Sequence, residues 1–173
     1  MKKYKLNEIA NVVAGQSPES AYYSNTEGVP FLQGNRTFGF KYPYIDSYTK
    51  KVTKMSHKGD VLVSVRAPVG DINISPCDLC IGRGLASITA KNGDNEFLYY
   101  VLKCNIKTLI KRSNGTTFQS INKNDLDDLN LTFPEDNQKF ISFLLSSLDN
   151  KIELNNKINK ELEEMAKDLY NYW

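Results

Sequence analysis

Toward the C-terminus, apolar residues recur at the spacing of a helix that lies lengthwise along another. Asp136 to Tyr170 holds neither glycine nor proline, and Ile141, Leu145, Leu148 and Ile152 follow at steps of four, three and four. The same rhythm returns at Ile158, Leu162, Met165 and Leu169. Such a seam predicts one helix, about 52 Å long at ~1.5 Å per residue. Between the two segments the step is six. Continuing the first heptad sets Asn155 and Asn159 on the seam, where a buried amide fixes register and partner number. A stutter that rotates the seam accounts for the break equally well. A helix of this length calls for a partner, either another helix or its own domain folded back on it.

Upstream the periods are shorter. Leu6, Ile9, Ala10 and Val13 predict an amphipathic helix over 6–13, stopped by Gly15 and Pro18. Residues 29–33, 61–65, 72–74, 86–90 and 129–133 read as short strands divided by turns. Phe38, Phe40, Tyr42 and Tyr44 alternate, which predicts a strand with its rings on one face and Lys41, with Arg36 nearby, on the other. Residues 95–112 form a helix whose Lys103, Lys107 and Lys111 make a basic stripe. Asn124 to Leu129 reads as a helical turn. Pro134 ends the last strand, and Glu135 and Asp136 meet the positive end of the long helix. The fold class is therefore α+β. A globular domain with a twisted β-sheet and flanking helices occupies 1–135, and a coiled-coil-type helix occupies 136–173.

Composition narrows the function. Net charge is only +2, but residues 1–70 carry ten basic side chains against five acidic, and the chain from 136 onward carries five against seven. A basic head with an acidic arm suits a polyanion at one end and a protein at the other. Aromatics interleaved with cations over 34–54 suit nucleic acid. No run of about 18 apolar residues is present, and Met1-Lys2-Lys3 leads into no apolar stretch, so the cytoplasm is expected. Cys77 and Cys80 form a lone Cys-x-x-Cys, Cys104 stands apart, and His57 is the single histidine, so reduced thiols rather than a metal site are expected. No phosphate-binding loop, zinc-protease pattern or nucleophile elbow occurs, and no catalytic role is read.

Several stretches are similar to one family. GDVLVSVRAPVGDINI (59–74), CIGRGLASI (80–88), FLYYVLK (97–103) and NGTTFQSINKNDLDDLNLTFP (114–134) resemble a target recognition domain of type I restriction-modification specificity subunits. LLSSLDNKIELNNKINKELEEMAKDLYNYW (144–173) resembles the family's helical spacer, and KLNEIANVVAGQSP (5–18) its opening. Family members usually carry two recognition domains separated by two antiparallel helices. This sequence resembles the N-terminal half, as a natural half-subunit, a truncated allele or a cut fragment.

The resemblance implies a non-catalytic subunit that reads one part of a split duplex-DNA target and docks adenine-methylating modification subunits. Restriction subunits join the same assembly. S-adenosylmethionine, ATP and magnesium would belong to those partners, and this chain needs no cofactor of its own. A single half is expected to pair with a second copy through Leu145, Leu148, Ile152, Asn155, Ile158, Asn159, Leu162, Met165 and Leu169, giving a two-fold homodimer that reads an inverted repeat. The alternative is a stand-alone DNA-binding regulator or decoy that competes with a complete specificity subunit.

Within the head, chemistry selects the contacts. Arg66 and Arg83, set among small residues, suit guanine or phosphate; Gln33, Asn35 and Gln119 suit adenine edges. Lys41, Tyr42, Tyr44, Thr116 and Thr117 suit the DNA backbone, and Arg36 joins the DNA-binding set. For each arginine the alternative is a structural ion pair.

Overall fold

A computed structural model describes residues 1–112 and 120–173, with the backbone alone for 106–112. In chain order the elements are β1 (Lys2–Lys5), α1 (Leu6–Ile9), β2 (Ala10–Ala14), β3 (Tyr23–Ser24), β4 (Val29–Leu32), β5 (Tyr48–Thr49), β6 (Met55–Ser56) and β7 (Val61–Ser64). There follow β8 (Ile72–Ile74), β9 (Leu79–Ile81), β10 (Leu85–Ala90), α2 (Asn95–Arg112), α3 (Lys123–Asp127), β11 (Asn130–Phe133) and α4 (Gln138–Tyr172).

Two sheets share the head. The first is antiparallel, in the order β2-β10-β7-β8; the second is mixed, in the order β3-β5-β4-β9-β6, with β4 and β9 parallel. β1 and β11 pair separately. Strand alternation explains how the layers stack. Val61 and Val63 of β7 and Ala86 and Ile88 of β10 join one core, with Leu98, Val101 and Leu102 of α2. Leu62 and Leu85 point the other way and join Leu32, Leu79 and Ile81 in a second core. β7 and β9 are thus buried on both faces, which is why they read as near-continuous apolar runs; β10 is nearly all buried as well, with Ser87 and Thr89 on one face. Asp60, itself buried, accepts hydrogen bonds from Ser87 (3.0 Å), Thr89 (2.8 Å) and the His57 amide (2.8 Å), so the charge is satisfied where it sits.

Two expected elements differ. The helix over 6–13 stops at Ile9, and residues 10–14 become a strand against β10, with Ala10 opposite Ala90 and Ala14 opposite Ala86. A helix would turn Leu6, Ile9, Ala10 and Val13 inward, whereas the strand buries Ala10 and Val12 and leaves Val13 exposed, so sheet pairing decides. The aromatic strand over 38–44 does not form. A 3₁₀ turn spans Asn35–Thr37, and the buried Asn73 side chain takes the place of a neighbouring strand. Its Oδ1 accepts from the Gly39 amide (3.0 Å) and its Nδ2 donates to the Gly39 carbonyl (3.1 Å). The four rings therefore share no face: Phe40 and Tyr44 are exposed, Phe38 and Tyr42 half-buried.

The long helix is present over 35 residues. Glu135 is not at its N-terminus but takes hydrogen bonds from Lys2 and Tyr4 of β1. The first turns of α4 lie against the head through Gln138, Ile141, Ser142, Leu145 and Asp149, and every residue from 150 onward is exposed. No helix among the described residues is long and apolar enough to cross a membrane. All three cysteines are free, and burial pushes the Cys77 thiol up.

Candidate nucleic-acid interface

Three backbone runs meet where β4 and β9 end and β10 begins. The Gly82 amide donates to the Leu32 carbonyl (2.8 Å), the Gly84 amide to Gln33 (3.1 Å), and the Gln16 amide to Ile81 (2.9 Å). Side chains would not fit. A Cβ on Gly82 would stand 2.8 Å from the Gln33 Cα, and one on Gly15 would stand 2.2 Å from the Gly82 carbonyl oxygen. The turn 82–84 is thereby held, with Arg83 exposed at its tip and its amide donating to Ser17 Oγ (3.2 Å). Gln33 is exposed beside it, and the Tyr23 hydroxyl bridges Gln33 Oε1 (3.4 Å) and the Pro18 carbonyl (3.2 Å).

Arg66 arrives from the neighbouring strand. The Val65 amide donates to the Gly84 carbonyl (2.9 Å), and Arg66 forms a bridge with Ser120. Arg66, Arg83 and Lys123 then line one cavity of about 350 Å³, walled by Ser120 and Asn122. Lys123 pairs with Asp127 at 3.1 Å. Among the described residues no carboxylate pairs with Arg66 or Arg83, which leaves two guanidinium groups for a ligand. Lys123 is not among the contacts expected from the sequence, because it lies one residue before the turn expected over Asn124 to Leu129, whereas the helix begins at Lys123 itself. The Asn122–Asp125 capping box was the available signal for the placement of that turn.

The other expected contacts are distributed differently. Asn35 Nδ2 donates to Asp71 Oδ2 (2.6 Å), which ties the 34–37 turn to the loop after Arg66. Arg36 is exposed but paired with Asp46 (2.6 Å), and that hydrogen bond holds the Asp46 carboxyl below the usual carboxylate range. Tyr44 is exposed and Tyr42 half-buried. Lys41 corrects its sequence reading as a surface cation. Its side chain is 1% exposed, with Nζ 3.0 Å from Glu96 of α2 and within 5.9 Å of the Tyr42, Tyr99 and Tyr100 ring centres. Burial pushes the Tyr42 phenol up, and the carboxylates of Glu96, Glu153 and Asp149 add to the effect against Lys41. Thr116, Thr117 and Gln119 lie outside the described residues, as do the Lys107 and Lys111 side chains.

On α4 the apolar positions separate into two stripes. Ile141 and Leu145 are half-buried toward the head, whereas Leu148, Ile152, Ile158, Leu162, Met165 and Leu169 are exposed, as are Asn155 and Asn159. Phe140 and Leu144, absent from the sequence reading, are 65% and 49% exposed. At about 100° per residue, Phe140, Leu144, Leu148, Asn155, Ile158, Leu162, Met165 and Leu169 fall within roughly a third of the helix circumference. Ile152, although exposed, lies on the same line of the helix as Ile141 and Leu145, and the six-residue step to Ile158 is the shift from that line to the outer stripe.

The residues match one family model, the type I restriction modification DNA specificity domain, over 1–164. A putative type I restriction enzyme MjaX specificity subunit from Methanocaldococcus jannaschii is 41% identical over 164 residues, 92% of this chain and 39% of that protein. The crystal structure of the HsdS subunit from Thermoanaerobacter tengcongensis superposes with a TM-score of 0.74 at 31% identity, covering 90% of this chain and 39% of that one. A structure from work on complex assembly and conformational transition of the type I R-M system superposes at 0.77 with 32% identity, covering 97% and 43%. The chain thus spans about two fifths of the length of the relatives it matches. With α4 included in the matched span and the same mixed α+β fold in the superposed subunits, the chain belongs to the family of type I restriction modification DNA specificity domains.

Proposed function

We propose that this chain is the sequence-reading component of a type I restriction-modification assembly. Its head, residues 1–135, contacts duplex DNA through Arg66, Arg83, Gln33 and Asn35, with Lys123 added and Lys41 removed. Arg36 and Tyr44 flank that surface on the exposed side of the 35–46 loop. Half-buried Tyr42, with Thr116, Thr117 and Gln119, completes the set expected from the sequence. The arm, residues 136–173, presents its exposed stripe to a second copy and to modification subunits. Methyl donor, nucleotide and metal chemistry reside in those partners. The observation that carries the reading is the convergence of two arginines, without carboxylate partners among the described residues, on one cavity rim. Guanidinium groups left in that state suit phosphate oxygens and guanine edges.

The test is a methylation map. The chain is coexpressed with a family modification subunit in a host lacking other adenine methylation, and the modified DNA is sequenced. A split inverted-repeat motif is expected, since a two-fold dimer presents the same head twice. A split asymmetric motif replaces the homodimer with a second, different half. No new methylation from soluble, expressed subunits favours a regulator or decoy that binds DNA without recruiting the methylating partner.

A further inference from the structure

The contact between head and arm is narrow, and its outermost tie is a single hydrogen bond. The Tyr100 hydroxyl of α2 donates to Asp149 Oδ2 of α4 at 2.7 Å. Nearer the helix start, Ser142 Oγ approaches Asp94 Oδ2 at 3.4 Å and Ile141 packs on the core. Beyond Asp149 every residue of α4 is exposed. The free arm from 150 to 172 is about 34 Å long at ~1.5 Å per residue. A swing of ~10° about the last tie moves its tip by about 6 Å, close to two base-pair steps at ~3.4 Å each. The tie is itself fastened to the loop that carries Asn35 and Arg36. Lys41, midway along that loop, is buried with its ammonium on Glu96, and its carbonyl accepts from the Ile74 amide at 2.8 Å. Its ammonium lies 5.9 Å from the Tyr100 ring centre, so one cluster touches the loop, α2 and α4.

We infer that Tyr100 and Asp149, backed by Lys41 and Glu96, are positioning residues that set the angle between head and arm and so fix the separation of the two half-sites. The inference rests on the two-headed reading above. An antiparallel pairing of arms puts the partner's head near the tip of this arm, so the joint angle sets the distance between heads. Neither side chain lies on the cavity that holds Arg66 and Arg83, so the bases read within each half-site should not change.

Two measurements test this on the full chain. First, donor and acceptor dyes are placed at Asn25→Cys in the head and Lys160→Cys on the arm, with Cys104→Ser, and labelled protein is diluted into unlabelled. The parent is expected to show one narrow distance. Tyr100→Phe, which removes only the hydroxyl, and Asp149→Ala should broaden it, while Asp149→Asn, which keeps an acceptor oxygen, should restore it. Second, the methylation map is repeated with each variant. The parent should prefer one spacer length by about tenfold, the scale set by one charge-assisted hydrogen bond. Tyr100→Phe and Asp149→Ala should accept neighbouring lengths to within about threefold with unchanged half-site bases. Distances as narrow in both variants as in the parent overturn the inference, and so does a broadened distance with an unchanged single spacer. A parent that yields no split motif defeats the functional reading instead. The spacing role then falls with it, and the dye distances judge the joint alone by the same criterion.

Discussion

An ammonium closed in by tyrosine rings has, among the described residues, one carboxylate paired with it, and the two partners of that pair are not equivalent. Lys41 is buried whereas the Glu96 side chain is 40% exposed. Removing Glu96 leaves a desolvated charge without its partner; removing Lys41 leaves a carboxylate that water reaches. Glu96→Gln is therefore expected to lower stability by about 2–3 kcal/mol, a figure reduced from the full cost of breaking a buried pair because Glu96 is partly hydrated. Lys41→Met fills similar volume with no buried charge and should cost well under half of that. Thermal unfolding of the two variants decides it. Equal losses, or a larger loss for Lys41→Met, would mean that the ion pair does not organise the cluster. Burial of this kind cannot be read from Lys41 alone, since the residues around it range from exposed Phe40 and Tyr44 to half-buried Tyr42 and buried Pro43. What draws it inward is Glu96, 55 residues away in sequence. Arg36 and Arg66 illustrate the same limit. Both looked like surface cations, but Asp46 lies ten residues from Arg36 and pairs with it, and no described carboxylate does so for Arg66.

At the scale of elements, legibility follows how locally the structure is decided. The helix α4 is evident because apolar residues recur at helical spacing over nine turns with no glycine or proline, and the strand β7 because Val61, Leu62 and Val63 are apolar toward both faces. Residues 10–14 and 38–44 were misread for the opposite reason. Their conformations are chosen by β10 and by the Asn73 amide, both distant in sequence. The stripe on α4 was half legible. Its C-terminal segment is an exposed apolar stripe, while Ile141 and Leu145 answer to the head and Phe140 and Leu144 lie outside with that stripe. The distinction has a measurable consequence. Leu162→Glu sets a charge in the middle of the exposed stripe and should weaken self-association by at least about 2 kcal/mol, because an isolated carboxylate resists burial. Leu145→Ala, on the inner stripe, should leave self-association within about threefold while lowering the unfolding temperature, as a half-buried leucine loses contacts with the head. Sedimentation across a concentration series separates the two. A monomer for the parent protein at high concentration removes the homodimer from the reading.

For the whole molecule, the decisive quantity is how binding responds to salt and sequence together. The head carries the basic excess of residues 1–70, and Arg66 and Arg83, both exposed, line one cavity with Lys123 and sit on turns rather than on a helix or ribbon. Major-groove reading is done chiefly by helices and ribbons that enter the groove, whereas exposed cations on turns suit phosphate. We therefore expect Arg83→Ala to weaken binding to cognate and non-cognate duplexes alike, and to lower the slope of log K against log salt concentration by about 0.9, the value for one lost phosphate contact on B-form DNA. Arg83→Lys keeps the charge and should keep the slope, losing only the paired geometry of the guanidinium. Gln33, exposed beside Arg83, supplies the contrast. Gln33→Ala should leave the slope unchanged and relax discrimination at one base position by about 1–3 kcal/mol. Fluorescence anisotropy with the mapped target and single-base variants, each at several salt concentrations, reads both quantities at once. A steep loss of specificity with an unchanged slope in Arg83→Ala would reassign that arginine from the backbone to a guanine edge. It would also require the turn 82–84 to enter the groove, which its position against Gln33 and Gly15 then has to permit.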